Sequence, residues 1–481
     1  MRLCRLASQL PIAQRCDATR WPVCRQQQNM VLVWRPCKYQ SSKGGRSTFS
    51  WTYVNPFALL NHLASSCPSF EALLADTQAA DPSSQSNPWS AIIYIDETQP
   101  GNLLSVEHNR KIYAIYWTVK QFRHHVICHE AGWIFGGALR SSIVNKVPGG
   151  MSCVLKLLMH KWYGSEFNLA TSGVTVKLRG RTHVLFVKFS CLLADELAHK
   201  TVLLCKGAGG TRLCVYCKHV VSVRSTLSEH AAEPGYLITT NCLDVSRFDL
   251  QTDTSIWTSV DLLAAAASRL PNAELDRLQQ AIGFTHNQDN MLLDRRLRTF
   301  WGPITGTMGD WMHIYLAQGL ACDELWFFVH RCRKRHDIRF EQIGAFMATF
   351  TWPRTVQSPA KSFSKKREVA CESANTFKFS ASEILGCYRV LQRFSSMVVL
   401  RRGGMDAEHA SLTALCVVLD TLQCVSRGLV SPELLHDRIK RHLTTHTSAY
   451  NIESARPKLH ASLHLPLFLR THGTLYNCFA T

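Results

Sequence analysis

The chain has 481 residues, and its 54 Lys and Arg outnumber its 35 Asp and Glu, which gives a formal net charge of +19. Hydrophobic residues make up 46% of the sequence, which excludes a disordered polyelectrolyte because such chains lack the apolar side chains of a core. No apolar run approaches the roughly 20 residues that a membrane helix needs, so we expect no membrane partner. The positive charge favours a polyanion, and we expect nucleic acid.

The 19 cysteines lie in stretches such as Ala414–Val417, where a reduced Cys packs as a small hydrophobic residue. We therefore expect a reducing compartment rather than a disulfide framework. Residues 1–46 contain nine Lys or Arg and one acid, Asp17. That composition is typical of a mitochondrial transit peptide. A basic leader of no defined role, or a misplaced start codon, explains it as well, and both alternatives stay open.

The N-terminal region, residues 1–88, is predicted to be basic and loosely organised, with helical apolar spacing only at Pro56–Ala75. Ala91–Asp96 is then a β-branched apolar run that ends in an acid, which is typical of a buried strand. Further strands are predicted within Lys111–Val119 and Trp133–Val147. The apolar spacing of Gly150–Tyr163 predicts an amphipathic helix.

A hairpin is predicted from Gly173–Leu178 and Thr182–Leu193, and its second arm runs into Asp195. A short helix over Glu196–Leu204 and a β-rich stretch over Leu213–Val223 follow. Three strands, a helix, and a strand that ends in an acid occur in this order in ribonuclease H-like domains, where acids at the ends of the first and fourth strands converge. The sequence therefore predicts an α/β fold with a ribonuclease H-like mixed sheet core.

The expected organisation continues with helical patterns from residue 255 onward. Residues 89–255 are predicted as the first part of the core and residues 256–375 as a mainly helical insertion. Residues 376–481 are predicted as a helical C-terminal part that returns to the core.

Four sequence blocks resemble motifs of one transposase family. In chain order they are Ile95–Asn102 with Arg110, Lys111, Tyr116 and Trp117; Asp195 with Ala198–Lys200, Lys206–Thr211, Cys214 and Cys217; Asp310–His313; and Phe377–Glu383. They resemble the CACTA (En/Spm) class and its Plavaka-type relatives over residues 90–400. The resemblance implies a DNA transposase, or a domesticated or inactive remnant of one, that cleaves and transfers DNA strands.

Such chemistry uses two Mg²⁺ (or Mn²⁺) ions about 4 Å apart, held by hard oxygen ligands. Asp96 and Asp195, each at a predicted strand end, are the first two candidate catalytic metal ligands. Glu383 is the preferred third, with Glu324 and Asp310 as alternatives. Each residue also has a purely structural explanation, because Asp96 can cap a turn, Asp195 can cap a helix, and Glu383 suits a first helical turn.

Cys214 and Cys217 have the spacing of half a zinc site. Asp310 and His313 are the expected other half, because carboxylate oxygen and imidazole nitrogen both bind zinc. The alternative is a pair of reduced core cysteines and a buried helical histidine. A third, weaker hypothesis is that the chain is an unrelated structural metal-binding protein. Under that hypothesis the two cysteines are the only functional pair.

Basic clusters occur at residues 331–336, 361–367 and 401–402. They are expected to contact DNA phosphates or to act as a nuclear import signal. The alternative is that each cluster is simply the solvated end of a helix. The expected DNA-binding residues are Lys206, Arg333, Lys334, Arg335, Lys365, Lys366 and Arg367. The expected location is the nucleus, with a homo-oligomer on DNA as a further expectation. The alternative function is a non-catalytic DNA- or chromatin-binding protein on the same fold.

Overall fold

The computed structural model describes residues 36–40, 46–51, 53–98, 111–164, 168–223, 225, 227, 237–353, 358–451 and 457–476. The motif residues 99–102 and Arg110 therefore lie outside the described residues. The protein is a mixed α/β protein whose contacts divide it into two compact units. The sheet unit comprises chiefly Met1–Lys206 and Thr252–Met308, and the helical unit comprises Gly207–Gln251 and Gly309–Asn477.

The strands have the following bounds in chain order: β1 Pro36–Gln40, β2 Arg46–Ser50, β3 Trp89–Thr98, β4 Ile112–Val119, β5 Ile134–Arg140, β6 Val174–Leu178, β7 Arg181–Leu185, β8 Val187–Ala194, β9 Val220–Val221, β10 Ile238–Thr239 and β11 Thr307–Gly309.

The α-helices have the following bounds: α1 Pro56–Ser66, α2 Pro68–Ala80, α3 His124–Ile127, α4 Ser141–Val144, α5 Gly150–Tyr163, α6 Glu196–Leu203, α7 Asp253–Ala267, α8 Asn272–Ile282, α9 Trp311–Tyr315, α10 Leu320–His336, α11 Phe340–Ala348, α12 Lys365–Ala374, α13 Ala381–Phe394, α14 Asp406–Val425, α15 Pro432–Tyr450, α16 Pro457–Ser462 and α17 Leu465–His472.

The sheet unit is built on a five-stranded mixed sheet in the order β5–β4–β3–β8–β11. β3 pairs antiparallel with β4, and β4 pairs antiparallel with β5, whereas β8 runs parallel to β3. Residues 91–95 of β3 are buried without alternation, as expected for a central strand covered on both faces. The predicted strands at Ala91–Asp96, Lys111–Val119 and Trp133–Val147 are confirmed.

Helix α5 covers part of this sheet through the apolar side that its sequence predicts. Val154, Leu155 and Leu158 are almost completely buried. Trp162 stacks edge-on against Trp117 of β4 with 5.5 Å between ring centroids. Burying this apolar side removes it from water, which stabilises the helix in its place. Packing rather than helix propensity therefore holds α5 against the sheet.

The predicted hairpin forms, but its second arm is not one strand. β6 and β7 pair across Arg179 and Gly180, which both have positive φ, as a tight two-residue turn requires. The chain then breaks at Phe186, because the Ser83 hydroxyl accepts from the Phe186 N–H at 2.7 Å and bonds its carbonyl at 2.8 Å. β8 begins after this break and enters the central sheet.

Two further predictions for the helical unit are corrected. The helix predicted over Asp310–Arg333 is interrupted between α9 and α10, because Gln318 has positive φ and a Cβ on Gly319 would lie 2.4 Å from the Tyr315 carbonyl carbon. The β-rich stretch over Leu213–Val223 contains only the two-residue strand β9, which pairs with β10. Among the helices of the described ranges, none combines the length and hydropathy that a bilayer crossing needs.

Candidate metal-binding sites

The first candidate site is where β3 and β8 end. Ile95 of β3 lies opposite Ala194 of β8 in parallel register. Asp96 continues β3 beyond this pair, and Asp195 is the first residue after β8, so the register places the two backbones at neighbouring positions. The sheet thus brings the two predicted aspartates to adjacent positions, and their catalytic role stays a prediction.

Asp195 also begins helix α6. Its Oδ1 accepts a hydrogen bond from the Ala198 N–H at 2.6 Å, so it is an N-cap as the structural alternative predicts. His199, one turn into α6, is buried, and this burial lowers its pKa to about 4 despite the opposing charge of Asp195. His199 is therefore neutral at pH 7 and adds no positive charge beside Asp195.

Glu97 is the other acid at the end of β3. Lys111 Nζ donates to it at 3.0 Å. Burial raises the pKa of Glu97, but hydrogen bonds from Ser141 and Lys111 outweigh burial, so the pKa lies below its usual value. Tyr113 is the register partner of Glu97, and the pKa of Tyr113 is raised by burial and by the charges of Glu97 and Asp195. Glu97 is thus an anion, and Tyr113 feels the negative charges of both Glu97 and Asp195.

Glu383, the preferred third acid, belongs to a closed network in the helical unit. It forms a capping box with Ser380 at the start of α13. Ser362 Oγ donates to it at 2.6 Å, and Arg367 Nη1 lies 3.0 Å from both carboxylate oxygens. Burial raises the pKa of Glu383, yet these donors hold it below its usual value. Its carboxylate is therefore ionised and already bound by protein donors, and its role as third acid stays a prediction.

Glu324, the competing third acid, lies in a buried group with two histidines that the sequence analysis did not single out. Glu324 Oε2 lies 2.6 Å from His442 Nε2 and 3.2 Å from His446 Nδ1, and Ser411 Oγ donates to Oε1 at 2.7 Å. The three ligand-type residues could hold a metal ion. The 2.6 Å contact is a hydrogen-bond length, however, shorter than the roughly 3 Å or more between two ligands of one ion. The geometry describes a buried carboxylate–imidazole pair.

A second buried group contains Cys214, Cys217, His460 and His464, whose ligand atoms all lie within 4.8 Å of one another. His464 Nε2 is 3.3 Å from Cys214 Sγ, 3.5 Å from Cys217 Sγ and 3.0 Å from His460 Nε2. His460 lies in α16 and His464, four residues later, is the N-cap of α17, and their ring centroids are 4.8 Å apart.

The charge state of this group follows from its enclosure. Burial alone would raise the pKa of the Cys214 thiol, but the Cys217 thiol donates to it and the two imidazoles attract its negative charge, so its pKa lies well below the usual value. Of the two sulfurs, Cys214 therefore ionises first, and Cys217 keeps its proton. A thiolate among imidazole nitrogens is a ready metal ligand.

The residues proposed as the other half of a cysteine site are arranged differently. Asp310 is the N-cap of α9, with Oδ1 accepting from the Met312 N–H at 2.9 Å, and its Oδ2 lies 2.8 Å from His313 Nδ1. Asp310 and His313 are not members of the group that contains Cys214 and Cys217. The spacing His-x-x-x-His, which occurs at both 442/446 and 460/464, was the signal that could have identified the additional candidate ligands.

The predicted DNA-binding residues differ in how far their charge is compensated. Arg333 lies 3.3 Å from both Glu368 and Glu372, Arg335 bonds the Gly404 carbonyl, and Arg367 pairs with Glu383. Lys206 is half-buried. Lys334, Lys365 and Lys366 are exposed, and among the described residues none of these three has an ion-pair partner. These lysines are the cations most available to a polyanion.

Comparison with protein-family models and with curated proteins finds no match for this sequence.

Proposed function

We propose that the sheet unit is a ribonuclease H-like nuclease core and that the protein is a transposase resembling the CACTA and Plavaka types, or a domesticated descendant. Its activity would be Mg²⁺-dependent cleavage and transfer of DNA strands. The observation that carries this proposal is the parallel register of β3 and β8, in which Asp96 and Asp195 each directly follow the paired residues Ile95 and Ala194.

The order of the strands supports the proposal. β3, β4 and β5 form an antiparallel meander, and β8 returns after α5 to lie parallel to β3 on its free side. Numbered by their order in the chain, the five strands lie side by side as 3-2-1-4-5, which is the order expected for a ribonuclease H-like sheet. That order is what makes two acids so far apart in sequence neighbours in space.

The chemistry of the donors fits magnesium. Mg²⁺ prefers carboxylate oxygens and retains water in its remaining positions, so a few aspartates suffice to hold it. When bound, paired ions activate the attacking oxygen and stabilise the leaving oxygen of a phosphodiester. Asp96 and Asp195 would hold the ions. Glu383 stays the expected third acid, with Glu324 and Asp310 as the alternatives.

The DNA partner is supported by charge. The net charge of +19 favours a polyanion, and Lys365 and Lys366 stand exposed in the first turn of α12. Two cations at a helix N-terminus oppose the helix dipole, which costs about 0.3–1 kcal/mol each. An exposed placement against the dipole is understandable if these lysines meet phosphates.

A nicking assay tests the proposal. The purified full-length chain is incubated with supercoiled plasmid and Mg²⁺, Mn²⁺ or Ca²⁺. We expect nicked product with Mg²⁺ and Mn²⁺ that is lost in Asp96→Asn and in Asp195→Asn. The matched control is Asp437→Asn on the exposed side of α15, which should nick like the parent. Equal nicking by all three variants would reject the acid pair as the site.

The second candidate function, a non-catalytic DNA- or chromatin-binding protein, is favoured by one observation. Asp195 already serves as the N-cap of α6, and a purely structural aspartate needs no metal. This function predicts duplex DNA binding by the parent chain without nicking in any divalent ion. The same plasmid preparation, analysed by gel shift and by nicking, separates the two functions.

A further inference from the structure

We propose that Cys214, Cys217, His460 and His464 bind one structural zinc ion, which fastens the Gly207–Gln251 segment to the C-terminal helices of the helical unit. This inference is independent of the proposed nuclease activity, because it concerns ligands of a different unit and a different type of ion.

The distances between the donor atoms fit a tetrahedral ion. Zinc lies about 2.3 Å from sulfur and about 2.0–2.1 Å from imidazole nitrogen, so tetrahedral ligands are separated by about 3.5 Å for S···N and about 3.4 Å for N···N. Here the sulfurs of Cys214 and Cys217 lie 3.3 and 3.5 Å from His464 Nε2. The two Nε2 atoms are 3.0 Å apart, about 0.4 Å closer than the ligands of an ideal tetrahedral ion. All six separations fall within 4.8 Å.

Hydrogen bonding alone does not satisfy this arrangement. An imidazole nitrogen offers either one proton or one lone pair, yet His464 Nε2 faces two sulfurs and a second ring nitrogen at contact distance. At most one of these contacts is a good hydrogen bond, and the remainder bring lone pairs together in a buried place. A central cation accepts all four lone pairs at once.

The site is closed, as structural zinc sites are. His460, His464 and Cys217 are at most 3% exposed. The rings of Phe248 and Tyr216 pack against His460 and His464, with centroids 4.9 and 5.4 Å apart. Four protein ligands leave no position for substrate or water, which distinguishes a structural from a catalytic zinc. The mixed thiolate and imidazole set also favours zinc over magnesium or calcium.

The segment that carries the cysteines needs such a fastening. Among its described residues, the apolar cluster buries Cys217, Val220 and Ile238, with Cys214, Cys242 and Phe248 packed around them. Its strands β9 and β10 have two residues each. So small a core gives little stability without a cross-link or a metal. The ion would therefore supply most of the order of this segment.

Metal analysis of the full-length chain, purified in zinc-containing medium and desalted, provides the test. We expect one zinc per chain in the parent and a loss of at least 0.8 equivalents, on the order of the full site, in Cys217→Ser and in His464→Asn. Cys242→Ser is the matched control, because Cys242 packs in the same cluster but its thiol donates to the Asp244 carbonyl instead of joining the four-residue group. It should keep its zinc.

A conservative variant covers the case in which the loss variants misfold. His464→Cys retains a four-ligand set with three sulfurs, so it should still bind one metal. Cobalt in place of zinc should give the visible bands of a tetrahedral site in the parent, and stronger sulfur charge-transfer absorption in His464→Cys. Absence of zinc from the folded parent, or full zinc in both Cys217→Ser and His464→Asn, would overturn the assignment.

Discussion

Replacing the buried Glu324 by glutamine should destabilise the helical unit more than any surface change. The Glu324 carboxylate is fully buried and lies within hydrogen-bond distance of Ser411, His442 and His446. Glutamine keeps the shape but removes the charge, and its NH₂ group must point at one of these donors. Breaking a buried charged pair by changing one partner costs about 3–5 kcal/mol.

Urea unfolding of the full-length variant at pH 7 measures the effect. With a slope of about 3 kcal/mol per molar urea, a loss of about 3–5 kcal/mol lowers the midpoint by about 1–1.7 M. Glu341→Gln on the exposed side of α11 is the control, and its free energy of unfolding should change by less than about 0.5 kcal/mol. Hydrogen exchange in α10 and α15 localises the loss. An unchanged midpoint would refute the buried pair as a stabilising element.

The same group predicts a direction for the pH dependence. Burial raises the pKa of Glu324, but the charges and hydrogen bonds of His442 and His446 more than offset burial, so its folded pKa lies well below the usual value. The unfolded chain therefore binds the proton more readily. The contribution to stability is present above the unfolded pKa of about 4.3 and declines as the pH falls toward the folded pKa. Glu324→Gln should show a flatter stability profile below about pH 5.

Three further outcomes follow from the described contacts. Binding to duplex DNA should weaken with salt, and Lys365→Glu combined with Lys366→Glu should reduce the slope of log K against log salt by about 2, because each neutralised phosphate contributes about 0.9; a salt-independent interaction would remove DNA as the partner. Gly319→Ala should lower the thermal midpoint more than Gly428→Ala, since a Cβ at 319 meets the backbone of Tyr315 at 2.4 Å, whereas a Cβ at 428 meets nothing within 4 Å and adds only the strain of a positive φ. Chelation of zinc should expose the Gly207–Gln251 segment to protease before the rest of the helical unit, and equal cleavage rates with and without chelator would contradict a structural ion.

Local patterns of the sequence predict much of the secondary structure because each depends on neighbours close in the chain. The α5 helix spans the same residues that its apolar spacing predicts, Gly150–Tyr163. The β-branched run before Asp96 becomes the central strand. The break before Gly319 is also local, but it depends on the positive φ of Gln318, which apolar spacing does not report.

Long-range partners were harder to predict. The cysteine pair was identified from its spacing, but Cys217 and His464 are 247 residues apart in the chain. Nothing local links them, and Asp310 and His313 were preferred as the nearer motif. The division into units was equally hard to predict. The sequence predicts a helical insertion over residues 256–375, but Thr252–Met308 makes its contacts within the sheet unit. Contacts between residues so far apart in the chain leave no periodic pattern in the sequence from which they could be predicted.

The choice between Asp96 and Glu97 as the partner of Asp195 gives the last prediction. Successive residues of β3 face opposite sides of the sheet, so at most one of the two acids shares a side with the Asp195 carboxylate. Parallel register favours Asp96, because Ile95 lies opposite Ala194. Electrostatics favours Glu97. Burial is the largest cause of the raised pKa of Tyr113, and the charges of Glu97 and Asp195 raise it further, so both acids act on the same tyrosine.

Glu97, however, is already paired with Lys111 at 3.0 Å, and a metal ion would have to displace that cation. We therefore expect Asp96→Asn to reduce plasmid nicking by more than the roughly 10–100-fold that changes beyond the metal's own ligands produce. Glu97→Gln should cost less than about 10-fold, since Lys111 then loses a partner but the ions keep theirs. Manganese binding followed by electron paramagnetic resonance should rank the two variants in the same order. If Glu97→Gln abolishes binding while Asp96→Asn retains it, the metal site lies on the side of the sheet that carries Tyr113, and Asp195 serves that side instead.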